Sequence, residues 1–292
     1  MRYFLVIVLS LLPVLSAAKT IHQERSLYRN IVVSEERGRR CLVFTIKRDE
    51  RNQTCKDMRD PKRVVFPYVR MTLAGLLVNP NPESVLVVGL GGGTIPVLLA
   101  ELYPDADIKV VEIDPAVITV AKTYFDFTET DKLTVDAVDA RVYIKRAKIR
   151  KQKYDLVILD AFTGEYIPEH LMTAEFLHES NDLLTENGVL IANTFSNSKL
   201  YDHESATYAE VFGRFLNLKM PDTGNRVIVA TKGNLPGDFA LKNRAKQLSA
   251  RLQTYGVQME AFPRFMSRAI DWDTSKRILT DQYSPANLLR ED

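Results

Sequence analysis

The sequence predicts an α/β protein in which a small N-terminal β module precedes a doubly wound, mostly parallel, Rossmann-like sheet. Short apolar runs alternate with segments of helical periodicity after residue 82. Runs such as Val85–Val88 are continuously apolar, which is typical of strands buried on both faces of a parallel sheet. A cluster of glycines follows that run, at the point where such a strand turns into a helix.

The composition restricts the kinds of partner. The 292 residues, 46% of them apolar, are enough for a sizeable core in one or two domains. The 39 Lys and Arg residues nearly balance the 37 Asp and Glu residues, and a net charge of +2 gives no general attraction to nucleic acid. We therefore expect a small-molecule partner and no nucleic-acid partner.

The first 18 residues have the pattern of a secretory signal peptide. Arg2 precedes the apolar stretch Phe4–Leu15, and Ser16–Ala18 supplies the small side chains of a cleavage site. An uncleaved anchor or a buried first helix is the alternative, although the apolar stretch is short for a membrane span. We expect a periplasmic or secreted protein with no membrane span after cleavage. In such an oxidising compartment Cys41 and Cys55 could form a disulfide, or they could remain separate thiols.

Residues 19–75 are predicted to form an N-terminal β-hairpin module. Two strand-like runs, 30–33 and 41–46, flank a polar turn that contains a glycine. Apolar residues at helical spacing then cover 67–77, and the sequence Asn-Pro-Asn-Pro at 79–82 interrupts the pattern. We place the end of the module just before this break.

Residues 76–235 are predicted to form the Rossmann-like domain, and 236–292 a C-terminal helix and tail. Asp114 and Pro115 supply an N-cap and a first-turn proline for one of its helices. The run 226–231 predicts a late antiparallel strand. Five buried parallel strands are predicted, at 84–88, 108–113, 133–138, 154–160 and 188–193.

The glycine cluster predicts a loop that a ligand approaches closely. Glycine leaves room for a ligand to reach backbone N–H groups and a helix N-terminus. A tight connection without a ligand is the alternative. A dinucleotide fingerprint requires a small residue where Thr94 stands, whereas the alternating Gly89, Gly91 and Gly93 fit S-adenosyl ligands. The predicted fold is thus of the class I S-adenosylmethionine-dependent transferase type.

Three acidic residues end three consecutive predicted strands. Glu112 could accept hydrogen bonds from ribose hydroxyls, Asp139 from an adenine amino group, and Asp160 lies where a sulfur centre is expected. Because parallel strands end at one edge of a sheet, we expect these carboxylates to face one crevice. Chance placement is the alternative for each. The four histidines form no metal-binding motif, so we predict no metal site.

Several motifs follow one another in a family-like order, in the segments 26–31, 66–68, 111–115, 139–141 and 154–160. Through these motifs the sequence from about Ser26 to Lys232 resembles the spermidine synthase (polyamine aminopropyltransferase) family, particularly its bacterial spermidine synthase-like members. The resemblance implies a homodimer that binds decarboxylated S-adenosylmethionine. It also implies transfer of the aminopropyl group to an amine such as putrescine, with an Asp taking the proton of the amine.

Two positions depart from the pattern of the family. Gly92 stands where the family has an Asp that helps to hold the donor, and Thr163 stands where the resemblance places the proton-accepting Asp. Glu165 and His170 are candidate substitute bases, and surface positions without catalytic roles are their alternatives. We therefore expect a transferase that uses S-adenosylmethionine or its decarboxylated form, with Asp160, Glu165 and His170 as candidate catalytic residues. A methyltransferase and a non-catalytic periplasmic binding protein for a nucleoside thioether or polyamine are the rival interpretations.

Overall fold

The computed structural model describes residues 18–46, 49–162 and 167–284. The predicted signal peptide lies outside these residues, apart from its last position. In the part of the chain that is described, no helix is both long enough and apolar enough to cross a bilayer. The structure consists of a small antiparallel sheet and a large mixed sheet covered by helices.

The N-terminal module is a four-stranded antiparallel sheet in the order β1-β2-β3-β4. The prediction gave only its central hairpin, β2–β3. It missed the outer strands because their side chains are mainly charged or polar and show no apolar alternation. The strands are β1 (Lys19–Arg25), β2 (Asn30–Glu36), β3 (Arg39–Ile46) and β4 (Asp49–Asp57).

Cys41 and Cys55 form a disulfide. They are directly opposite each other in the pairing of β3 with β4. The disulfide therefore joins neighbouring strands beside Thr54, a buried residue that also contacts the large sheet's glycine loop.

The large sheet has eight strands, in the order β12-β10-β11-β9-β8-β5-β6-β7. The strands from β5 to β9 are parallel, and their order β7-β6-β5-β8-β9 is doubly wound, as predicted. The antiparallel β11 confirms the predicted late strand. The strands are β5 (Ser84–Val88), β6 (Asp107–Glu112), β7 (Leu133–Ala137), β8 (Tyr154–Leu159), β9 (Leu184–Phe195), β10 (Leu216–Lys219), β11 (Asn225–Thr231) and β12 (Met266–Ser267).

Helices cover both faces of the large sheet. The buried residues of α1, α2 and α7 pack on one face, and those of α4, α5 and α6 pack on the other. Helix α3 packs between the first face and the small sheet, where Val117 and Val120 contact Ile31 and Phe44. The helices are α1 (Pro67–Thr72), α2 (Thr94–Leu102), α3 (Pro115–Tyr124), α4 (Ala140–Ile149), α5 (Ala174–Asp182), α6 (Tyr201–Phe212) and α7 (Asp238–Leu252).

The segment 67–77, most of which we had assigned to the N-terminal module, packs on the large sheet. Helix α1 contacts β9 and β11. The following 3₁₀ turn, Leu73–Leu77, also contacts β9. At Gly75 a Cβ atom would come within 2.5 Å of the Ile191 side chain, so the turn lies directly on β9. The predicted domain limits themselves stay predictions.

Candidate active site

A cleft lies at the carboxyl ends of β5, β6, β7 and β8, where the strand order reverses direction. This is the place where open α/β sheets bind ligands. The small sheet contributes a second wall, so both parts of the fold line the cleft. The main lining residues from the small sheet and its loops are Tyr28, Arg29, Phe44, Gln53 and Thr54, and those from the large sheet include Gly89, Gly91, Glu112, Asp139 and Asp160.

The glycine loop after β5 requires glycine at three positions. Gly89, Gly91 and Gly93 have φ angles of 97°, 54° and 80°, which other residues rarely adopt. A Cβ atom at Gly89 would collide with the backbone carbonyl of Asp160. Gly89 and Gly91 line the cleft, whereas Gly93 lies behind the loop against Phe127. The turn alone therefore explains the glycine at 93.

Glu112 holds the glycine loop through its carboxylate. Its Oε2 accepts a hydrogen bond from the Leu90 N–H (3.0 Å), and its Oε1 accepts one from the Asp114 N–H (3.0 Å). The side chain is buried, and burial raises its pKa. Each oxygen keeps a further lone pair, so the carboxylate could still accept from a ligand hydroxyl. Asp114, the predicted N-cap of α3, accepts from the Ala116 N–H (3.0 Å).

Asp139 and His170 lie together on the far side of the cleft. Asp139 caps α4 by accepting from the Val142 N–H (3.0 Å). Its second oxygen, Oδ2, is 3.0 Å from His170 Nε2. The His170 side chain is about half exposed. The structure thus brings the candidate catalytic histidine to the acid predicted to bind adenine. Glu165 lies outside the described residues, as does Thr163.

Asp160 is the most perturbed carboxyl group of the cleft. Burial raises its pKa to about 7, while a hydrogen bond from Asn193 opposes that rise. The Asn193 Nδ2 donates to Asp160 Oδ1 over 2.8 Å. Tyr68 also lines the cleft, and its pKa is raised well above the ordinary value by burial and by the charge of Asp160. A carboxyl group of this kind can exchange a proton near neutral pH.

Gly92 is closely surrounded, and its surroundings explain the missing side chain. Its N–H donates to Thr54 Oγ1 (2.9 Å). A Cβ atom at position 92 would lie 2.6 Å from the Thr54 methyl group and 3.1 Å from the Phe125 ring. An Asp at this position would therefore require Thr54 and Phe125 to move.

Arg29 is a cleft residue that the sequence reasoning missed. Its Nη1 donates to the Phe162 carbonyl (3.1 Å), its guanidinium lies 4.4 Å from the Phe44 ring centroid, and its Nε is 3.8 Å from Asp114 Oδ2. The side chain is only 9% exposed. Tyr68 and Asn193 were also missed as site residues. Asn193 ends a predicted strand, so the strand-end argument could have found it, whereas no local signal marks Arg29.

A second groove adjoins the cleft where Tyr68, Gln53 and Phe162 line both. Two aromatic pairs form its walls: Phe66 is stacked with Tyr68 at 5.9 Å, and Phe162 meets Phe195 edge-on at 5.5 Å. We call it the aromatic groove; its lining residues are Asn52, Gln53, Phe66, Pro67, Tyr68, Phe162, Asn193, Phe195, Asp222, Thr223 and Asn225.

Within residues 18–46, 49–162 and 167–284, no three His, Cys, Asp or Glu side chains are grouped so that they could hold a metal ion. The three acids of the cleft are instead arranged around one space, together with Arg29. This arrangement favours a cationic organic ligand over an anionic one.

Sequence comparison shows similarity to one protein family and to a relative along most of its length. The profile of the spermine/spermidine synthase domain matches residues 68–220. A polyamine aminopropyltransferase of Vibrio vulnificus (strain CMCP6) is 56% identical over 273 residues, which cover 92% of this chain and 91% of that protein.

Solved structures show the same fold. A probable spermidine synthase from Corynebacterium glutamicum superposes with a TM-score of 0.67 at 18% identity, over 88% of this chain and 98% of that one. A spermidine synthase in complex with the transition-state analogue AdoDATO gives a TM-score of 0.61 at 22% identity, over 84% of this chain and 86% of that one. At these identities the likeness concerns the fold.

Proposed function

The chain belongs to the spermine/spermidine synthase family, and on this basis we propose that it is an aminopropyltransferase that uses decarboxylated S-adenosylmethionine and a small amine such as putrescine. One observation supports this function above the others. Asp160, whose pKa is raised to about 7, lines the cleft and accepts a hydrogen bond from Asn193, which lines the adjoining aromatic groove.

The donor fits the charges and shape of the cleft. Gly89 and Gly91 leave the loop open and line the cleft together with Glu112 and Asp139. In the proposed complex Glu112 accepts from ribose hydroxyls, and Asp139 accepts from the adenine amino group. With Glu112, Asp139 and Asp160 against the single cation Arg29 among the described cleft residues, the cleft favours a donor that carries positive charge.

Asp160 is the proposed proton acceptor. In the reaction, the amine nitrogen bonds to the methylene carbon beside the sulfonium, the carbon–sulfur bond breaks, and its electron pair neutralises the sulfur. The attacking ammonium must first lose a proton. A carboxylate with a pKa near 7 is well matched to take that proton at neutral pH. With this assignment the reaction requires no base at position 163 or 165. His170 then has no role as a base and instead forms a hydrogen bond with Asp139.

The amine is proposed to enter through the aromatic groove. Aromatic faces attract an ammonium group, and Asp222, an exposed acidic residue, also lines the groove. The amide side chains of Asn52 and Asn225 supply further polar contacts. A diamine could thus present one nitrogen to Asp160 and the other towards Asp222.

Export and assembly are further proposals. The disulfide Cys41–Cys55 is compatible with an oxidising compartment. The signal-like segment 1–18 is compatible with export to such a compartment. Sequencing the N-terminus of protein purified from the periplasmic fraction tests the cleavage, and recovery of intact protein only in the cytoplasm contradicts it. A homodimer through the small sheet is tested by light scattering on the purified protein.

The function is tested by product analysis. Purified protein is incubated with putrescine and either decarboxylated S-adenosylmethionine or S-adenosylmethionine. We expect spermidine and methylthioadenosine from the decarboxylated donor and no methylated amine from the other. Methylated amine, or no product from either donor despite tight donor binding in calorimetry, contradicts the proposal.

A further inference from the structure

Behind Asp160, three polar side chains form a continuous chain of hydrogen bonds. Asn193 Nδ2 donates to Asp160 Oδ1 (2.8 Å), and Asn225 Nδ2 donates to Asn193 Oδ1 (2.9 Å). The Thr223 hydroxyl donates to Asn225 Oδ1 (2.7 Å). Asn193 is only 2% exposed. Thr223 lies in the loop between β10 and β11, Asn225 is the first residue of β11, and both line the aromatic groove.

The ionised Asp160 carboxylate sets the direction of every hydrogen bond in this chain, and the outer end is compatible with that direction. At the outer end, the Asn225 backbone N–H donates to Thr223 Oγ1 (3.2 Å), which leaves the hydroxyl hydrogen free to donate to the Asn225 side chain. That bond occupies the oxygen of the Asn225 amide, so its NH₂ group faces Asn193. Asn193 in turn directs its NH₂ group at Asp160, and an ionised carboxylate can only accept.

The sheet explains why the chain can be continuous. Leu159 is paired with Ala192 in the parallel β8–β9 ladder, so Asn193 lies one residue further along, beside Asp160. Asn225 is paired with Phe195 in the antiparallel β9–β11 ladder. Three adjacent strand ends thus bring the amides into line.

We propose that Asn193, Asn225 and Thr223 are positioning residues that hold the Asp160 carboxylate in place and favour its ionised form for proton transfer from the amine. This inference rests on the proposed function in taking Asp160 as the proton acceptor. The three residues act through Asp160, so none of them is a catalytic residue. An amide that could turn freely would offer its oxygen to Asp160 as readily as its NH₂ group, and that orientation favours the protonated acid.

The pKa of Asp160, read by NMR from aspartate labelled at the carboxyl carbon, tests the proposal without requiring activity. The signal of Asp160 is identified by its loss in Asp160→Asn. Since the Asn193 hydrogen bond favours the charged form of the carboxyl group, Asn193→Ala should move the midpoint upwards by at least about one pH unit. Asn225→Ala and Thr223→Val should move it upwards by smaller amounts. Tyr68 is a titratable residue on which the charge of Asp160 acts, and it is retained in all variants.

A double variant distinguishes an effect of the hydrogen-bond chain from a general loss of packing. If Asn225 acts only through Asn193, the variant Asn193→Ala/Asn225→Ala should titrate like Asn193→Ala alone. Asn187, an exposed residue near the other end of β9, supplies the control Asn187→Ala, which should titrate like the wild type. If Asn193→Ala does not fold, the two outer variants decide, because their side chains are partly exposed.

Two results would contradict the proposed positioning role. One is a wild-type midpoint for Asp160 in the folded variants Asn225→Ala and Thr223→Val. The other is a further shift of that midpoint when Asn225→Ala is added to Asn193→Ala. Failure of the proposed base is a different result. It appears as full turnover in Asp160→Asn, whatever the NMR midpoints are. In an active enzyme, the midpoint of kcat/KM should follow the NMR midpoint in each variant.

Discussion

At Asp160, burial and a single amide donor act in opposite directions on a carboxyl group. Burial raises the pKa of Asp160 to about 7, and the Asn193 amide limits that rise. Glu112 receives two backbone N–H groups, which favour its ionised form despite burial. The two carboxyl groups thus differ in their hydrogen bonds, and we expect them to have different roles in the cleft.

The perturbed carboxyl group should reduce stability at neutral pH. A folded-state pKa near 7, against 3.8 for the ordinary side chain, means that the folded protein holds this proton more tightly. The free energy of unfolding therefore falls as the pH rises from about 4 to 7, and stays lowered above that range. Asp160→Asn, which keeps the acceptor for Asn193, should be more stable than the wild type at pH 8, by on the order of 2–4 kcal/mol.

Urea unfolding at pH 4.5 and pH 8 checks this expectation. The gain of Asp160→Asn should be much smaller at the lower pH, because the carboxyl group of the folded wild type is then protonated. An equal gain at both pH values would show that the charge of Asp160 is not the cause.

The rule that parallel strands end at one edge of a sheet was sufficient to predict that the three acidic residues lie together. Glu112, Asp139 and Asp160 line one cleft, as the parallel arrangement required. Their roles as ligands and as base stay predictions. Arg29 reaches the cleft from the loop between β1 and β2, and a contact between residues so far apart in sequence leaves no periodic or local signal.

At the scale of elements, the glycine loop after β5 and strand β4 are fitted to each other. Thr54 accepts the hydrogen bond of the Gly92 N–H, and its methyl group fills the space that a side chain at position 92 would need. The absence of the Asp that the resemblance implies at this position is therefore explained by the packing against Thr54. The sequence marked Gly92 as a departure, but the compensating residue lies on a strand that the sequence did not predict.

A double-mutant cycle tests this fit. Gly92→Ala should lower the free energy of unfolding by about 1–3 kcal/mol, because its Cβ atom overpacks against Thr54. Thr54→Ser removes the methyl group but keeps the hydroxyl acceptor, so adding it should recover part of that loss. Additive effects in urea unfolding would mean that the two positions do not compete for the same space.

The disulfide between β3 and β4 should stabilise the same region. Its cysteines are 14 residues apart, for which loop closure gives about 3 kcal/mol. The variant Cys41→Ser/Cys55→Ser should therefore unfold at lower urea concentration and bind methylthioadenosine more weakly, since Thr54 adjoins Cys55. A reductant should affect only the wild type. Equal stability of the two proteins without reductant contradicts this expectation.

For the whole molecule, the alternation of strands and helices was enough to predict the doubly wound sheet, because burial on both faces gives each parallel strand a continuous apolar run. The tail was not predictable in the same way. Strand β12 has two residues, and Leu279, which is fully buried in a small cluster, stands in a mainly polar segment. Such a segment is ordered by single contacts, including the bonds from Arg141 to Asp281, and shows no periodicity.

Arg29 connects the two sheets across the cleft, so its loss should affect donor binding more than turnover. Arg29→Met keeps an apolar side chain over Phe44 and loses the hydrogen bond to the Phe162 carbonyl. We expect the KM for the donor to rise by about 10-fold, with kcat within about 2-fold of the wild type. Arg25→Met, an exposed control on β1, should leave both constants unchanged. A fall in kcat with unchanged KM would place Arg29 in the chemical step instead.

The pH dependence of kcat/KM for aminopropyl transfer, measured with wild type and Asp160→Asn, tests the central claim most directly. We predict that the wild-type activity rises with pH through a midpoint near 7, where Asp160 loses its proton. Asp160→Asn should lose about 10²- to 10⁴-fold in activity and lack that midpoint. A variant that keeps the wild-type rate, or keeps the midpoint near 7, would contradict the assignment of Asp160 as the proton acceptor.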